Sequence, residues 1–249
     1  MKKPNTLQKN LPAMILVFIL LFVWQAGAMK MNAAYILPSP ADIIKKIWEL
    51  RSILFRVHLP ATFGVTLLGL LISIVLGLIL SIVMDVFHGV YRAVYPLVIV
   101  SQTIPTTAIA PLFVLWFGYG IWSKVLVTVL ITFFPVVITV YDGFQAIPDE
   151  QEQLLFTFGA NKRDIFLKLK FPATLPYFFS ALKMAIPLSI IGAAIGEWLG
   201  AQSGLGYFSR RMMTQLDGAG VFAPIVLLAV IALLLVGIVA MIEKCVVKR

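Results

Sequence analysis

Few side chains in this chain have the types and spacing that chemistry needs. There are two histidines, His58 and His88, and a single cysteine, Cys245. A catalytic zinc site needs three converging protein ligands, and acid–base work needs a titrating group aimed at a reacting atom. His58 and His88 are isolated on opposite expected sides of a membrane, and no paired carboxylates stand near either. One cysteine excludes an intrachain disulfide and any multi-cysteine metal site; Cys245 sits in a basic tail beside Lys244, Lys248 and Arg249. The stretch GYGIWSK (118–124) has the outline of a phosphate loop, but Ser123 stands where a glycine is required and Val125 where a hydroxyl is. No ATP site, metal or cofactor is expected, and an enzyme, including a membrane-bound lipid transferase, is disfavoured.

One acid stands apart. Glu197 lies in an otherwise apolar stretch, where a central charge costs about 2.5–3.5 kcal/mol on insertion scales. It is a candidate for a solute path or a gate. The plainer alternative is a carboxylate near the membrane surface, hydrogen-bonded to span ends, since the glycine-rich run 200–206 follows. Gln102, Thr103, Thr106 and Thr107 cluster around Pro105, and together with Ser189 and Glu197 they form the candidate polar wall of a pathway. Ordinary helix kinking with interhelical hydrogen bonds accounts for the cluster around Pro105 equally well.

The elements that must position these residues follow from composition. The chain has 249 residues, 61% hydrophobic and only 12% charged, with a mean hydropathy of +0.99. A soluble domain carries about 25% charged residues, so a soluble enzyme is excluded. About 20 apolar residues cross a bilayer. An apolar run from Leu11 to Val23, extendable to Met29, makes a first crossing, in preference to a signal peptide cleaved near Ala26-Gly27-Ala28. Further crossings read as Leu59–Met84, Val94–Phe117, Ile121–Tyr141, Leu175–Gly200 and Val221–Ile242. Ala41–Arg51, with Ile43, Ile44, Ile47 and Trp48 on one face, reads as an amphipathic interfacial helix. The expected fold is an all-α integral membrane bundle of six helices. Residues 1–58 form an N-terminal crossing and external segment, and 59–249 the core.

The net charge of +9 is scattered among apolar spans without a basic, aromatic-laced patch, so it reads as topology signals and contacts to membrane lipids rather than nucleic acid. With the N-terminus inside, twelve bases lie inside (Lys2, Lys3, Lys9, Arg92, Lys162, Arg163, Lys168, Lys170, Lys183, Lys244, Lys248 and Arg249) against eight outside. Both termini are therefore expected in the cytoplasm.

The one long polar segment is 142–170, holding five acids and four bases. Pro148 suits the first turn of a helix, and Asp149, Glu150 and Glu152 suit its positive N-terminal end. Gly159 suits a left-handed stop. Asn161 can cap a second helix showing Ile165, Phe166 and Leu169, which should stop before Pro172. Helices this short are not stable alone. Leu154, Leu155, Phe158, Ile165 and Phe166 therefore need a partner surface, either the bundle or another chain.

The stretch EQLLFTFGANKRDIFLKLKFPATLP (152–176) resembles the EAA-loop signature of ABC-importer membrane subunits. Gly159 matches the signature glycine and Pro172 its proline. Gln153, Leu154 and Leu155 replace the Glu-Ala-Ala triplet, with Glu152 one place early. LPSPADII (37–44), SQTIPTTAIAPLFVLWFGYG (101–120) and IGEWLGAQSGLGYF (195–208) resemble the nitrate/sulfonate/taurine branch of these permeases. The stretch 179–213 is most similar to permeases for the thiamine pyrimidine precursor. The resemblance implies a permease dimer, two cytoplasmic ATPase subunits and an extracytoplasmic solute-binding protein, in a bacterial plasma membrane. It also implies an ATPase-coupling surface of Gln153, Leu154, Leu155, Phe158, Gly159, Ala160, Ile165, Phe166 and Pro172. The rival is a secondary transporter or channel acting alone, with Glu197 coupling to an ion.

Overall fold

The computed structural model describes residues 6–247, with side chains from residue 11 onward; Lys2, Lys3, Lys248 and Arg249 of the charge tally lie outside the described residues. Among the described residues every regular element is helical. In chain order they are α1 (Thr6–Met31), α2 (Pro40–Glu49), α3 (Arg51–Val86), α4 (His88–Ser101), α5 (Thr106–Phe117), α6 (Ile121–Gln145), α7 (Asp149–Thr157), α8 (Lys162–Gly200), α9 (Leu205–Thr214) and α10 (Gly218–Val246). Five of these (α1, α3, α6, α8 and α10) are long and apolar enough to cross a membrane, and α4 with α5, bent by 98°, is apolar enough only as a pair, as a broken span or a re-entrant loop.

That bend falls at Gln102–Pro105, where Pro105 has extended backbone and opens α5. Pro111, Pro135 and Pro187 lie inside α5, α6 and α8, which continue through them without a break. The expected stop before Pro172 also does not occur: α8 runs through it. The chain accommodates the proline with a π turn over Phe166–Lys170, in which the Phe171 N–H reaches Phe166 O. A proline ring clashes with the carbonyl four residues back in a regular helix, and a wider turn relieves that clash. The same arrangement recurs in α3, where the π turn Leu54–His58 immediately precedes Leu59-Pro60.

α6 is the central helix, clasped by α3 and α8 through small residues. On α3, Gly69, Ser73, Gly77 and Ser81 recur every four residues. A Cβ on Gly77 would come 2.7 Å from Val136 Cγ1, while Ser81 donates to Val137 O at 2.9 Å and Ser73 meets the Thr132 hydroxyl. On α8 the stripe is Gly192, Gly196 and Gly200. A Cβ on Gly192 or Gly196 would sit 2.7 Å or 2.9 Å from the Cα of Thr128 or Lys124. Lipid supplies no hydrophobic drive between helices, so close backbone approach at small residues is how such spans associate.

The ends of the bundle are tied by polar contacts. α2 opens with a capping box, in which Asp42 N–H donates to Ser39 Oγ and the Asp42 carboxylate accepts from Ser39. The Ser39 hydroxyl and amide hold the Asp42 carboxyl below its usual range. Lys46 of α2 pairs with Asp217 at 2.7 Å, just before α10. Burial works to raise the Asp217 carboxyl, but Lys46 and the Gly220 amide outweigh it and bring it below its ordinary value. At the other end Lys183 of α8 pairs with Glu243 of α10 at 2.8 Å.

Candidate functional site

The polar segment 146–170 caps the end of the bundle where α6 finishes and α8 begins. Pro148 stands in the cap position, one residue before the first turn it was expected to occupy, with Asp149, Glu150 and Glu152 in that turn. α7 ends where Gly159 takes φ +82°, and the Ala160 and Gly159 amides bond back to Leu155 O and Phe156 O. Left-handed backbone of this kind favours glycine. Asn161 then caps α8 as expected, its Oδ1 accepting from the Asp164 N–H at 2.8 Å.

The apolar residues of the segment divide into two sets. Ile165 is 2% exposed and Phe166 packs on the core cluster of Val140, Phe144 and Ala181, its ring 5.9 Å from that of Phe144. These two seat the segment on its own bundle. Leu154 and Phe158 face out, with Phe158 78% exposed, while Phe156 is half-exposed at the rim of a cavity shared with Phe166. Leu155 and Ala160 are half-buried, and Gln153 and Pro172 are exposed. Phe156 was not singled out from the sequence. The segment thus combines an inward anchor with an unpartnered apolar face on a short helix.

The candidate path residues separate. Gln102 and Thr106 meet at the α4–α5 break and line a cavity of about 180 Å³ together with Ile131, Phe134 and Pro135 of α6. Thr103 and Thr107 are exposed and do not line it. Ser189 is buried, its hydroxyl donating to Ile186 O at 2.7 Å within its own helix.

Glu197 is 1% exposed and lies at the opposite end of the bundle from α7. Hydropathy leaves residues 205–214 as a connection, but they form α9, and Glu197 is part of its cap. Gly206 N–H donates to Glu197 Oε2 at 2.8 Å, Leu205 N–H to Thr62 Oγ1 at 2.7 Å, and Gly204 N–H to His58 Nδ1 at 3.1 Å. The first N–H groups of a helix have no partner within it; here α3 and α8 supply them. A carboxylate also suits the positive end of the helix dipole. Gly204 has φ +120°, and a Cβ there would collide with the Glu197 carboxyl. His58, isolated in the sequence, is thus a helix cap.

These features can be set against known proteins. The chain is 49% identical over 216 residues to the formylaminopyrimidine transport permease protein ThiX of Halalkalibacterium halodurans, covering 87% of this chain and 86% of that one. It is 36% identical over 236 residues to the riboflavin transport system permease protein RibX of Chloroflexus aurantiacus, covering 94% and 88%. In fold it is similar to a chain of the inward-facing MetNI methionine ABC transporter, with a TM-score of 0.70 at 19% identity over 81% of this chain and 99% of that one. The family model described as binding-protein-dependent transport system inner membrane component matches residues 73–248. A multi-pass bundle with a helix–glycine–helix segment at one end and relatives of this kind leaves one assignment: the chain belongs to the family of binding-protein-dependent ABC-importer permeases.

Proposed function

We propose that this chain is the membrane subunit of an importer whose ATP hydrolysis resides on a separate pair of cytoplasmic subunits, and that two copies of it form the pathway. An extracytoplasmic binding protein delivers the solute at the end bearing α2 and α9. The observation that carries this reading is the apolar surface at the end of α7, where Leu154 and Phe158 are exposed beside a left-handed glycine. A groove on an ATPase subunit covers such a face in the way amphipathic helices are generally recognised. Closure of the ATPase pair then moves α7 and rocks the two permease halves between inward and outward openings. The end bearing α7 is cytoplasmic in this arrangement, as are both termini. Residues 59–249 act as the permease core, and 1–58 as a peripheral crossing and surface helix. The solute is a thiamine pyrimidine precursor, a reading supported by the 49% identity to the formylaminopyrimidine permease.

Gly159→Val tests the coupling. At φ +82° a β-branched side chain is strained, whereas the space around Gly159 is open, so insertion and folding should survive. Uptake of formylaminopyrimidine by cells carrying the variant should fall at least tenfold at equal membrane abundance. Normal uptake would overturn the coupling role.

A further inference from the structure

Lys170 closes an ionic junction between three segments that are far apart in sequence. Its ammonium lies 3.0 Å and 3.2 Å from the two carboxylate oxygens of Asp85 and 2.9 Å from Glu152 Oε1. Asp85 is next to last in α3, Glu152 is in the first turn of α7, and Lys170 ends the π turn of α8. The side chains of Asp85 and Lys170 are only 5% and 15% exposed. Salt screens such partly buried charges less than surface pairs, and removing one partner leaves the other desolvated and unpaired. The triad forms part of the wall of a cavity of about 450 Å³ beneath α7, which Phe156 and Phe166 also line.

We propose that Lys170 is a positioning residue that transmits movement of α7 to the spans α3 and α8, which rests on the importer reading above. The Phe158–Asn161 link alone joins α7 to α8 around a single left-handed glycine, a connection that bends readily. The Glu152 arm adds a second attachment. Because Lys170 also holds Asp85, a pull on α7 acts on the end of α3 as well as on α8. The π turn that Lys170 ends places this attachment at the point where the α8 backbone leaves regular geometry. Glu152 thus faces its own chain, with Phe156 one turn on along the same face, leaving the exposed Leu154 and Phe158 to face the ATPase.

The test uses the assembled transporter, permease with its ATPase and binding protein, in proteoliposomes, measuring ATP hydrolysis and formylaminopyrimidine uptake together. Glu152→Gln keeps the Lys170–Asp85 pair and frees only α7, so folding should be unaffected. Lys170→Met breaks both arms. Hydrolysis should persist in each, while uptake per ATP falls several-fold in Glu152→Gln and about tenfold in Lys170→Met. Lys170→Arg, which keeps the charge, should restore the ratio. An unchanged ratio in Glu152→Gln overturns the proposal, as does a parallel loss of hydrolysis and uptake, which would place Glu152 against the ATPase instead. Absence of ATP-dependent uptake in the unsubstituted complex would overturn the importer reading itself.

Discussion

At the scale of single residues, charge placement is dictated by satisfaction of polar groups. Glu197 illustrates this on one side only: its Oε2 accepts from the Gly206 amide at 2.8 Å, while its buried Oε1 has no partner among the described residues. Leaving a buried donor without its acceptor costs about 1–3 kcal/mol. Glu197→Ala should therefore lower the thermal unfolding midpoint in detergent by several degrees, and Thr62→Val, which strips the partner of the Leu205 amide, should do the same. Uptake by the surviving protein should keep its dependence on ions. A change in ion dependence with an unaltered midpoint would restore Glu197 as an ion-coupling group.

At the scale of elements, α6 is held by backbone proximity on two sides. A Cβ at Gly192 faces Thr128 Cα, which is backbone and cannot turn away. Gly192→Leu should therefore prevent α6–α8 packing and sharply reduce the amount of folded protein recovered by size-exclusion chromatography. Gly27→Ala is the matched control, because open space surrounds Gly27 in α1 and alanine favours a helix over glycine by roughly 1 kcal/mol. The α8 stripe of glycines is plain in the sequence. Its counterpart on α3 is hidden, because serines alternate with the glycines and each serine hydroxyl is spent on backbone carbonyl groups. The π turns are hidden for a related reason: a proline announces a helix boundary by local rules, and only the packing of the flanking segments lets the helix continue.

At the scale of the whole molecule, orientation follows from placing the end that bears α7 against the ATPase. Cys245, the only cysteine in the sequence and exposed near the end of α10, provides a direct probe. A membrane-impermeant maleimide should leave Cys245 unlabelled in intact cells and label it in inverted membrane vesicles. Labelling of intact cells would reverse the orientation.

The membrane class, the five long spans and the α7–Gly159–Asn161 junction were all legible in the sequence, because hydropathy, caps and left-handed glycines act over a few residues. Apart from the glycine stripe of α8, the tertiary structure alone decided which side of each span is buried. Lipid tails are as apolar as a protein core, so Leu and Val carry no mark of facing one or the other; Phe158 and Phe166 have the same side chain, and only packing against Phe144 turns Phe166 inward. Long-range polar partners were beyond local reading for the same reason. Lys170 meets Asp85 across 85 positions, and Gly204 meets His58 across 146, and such pairs come together only when the spans between them have packed.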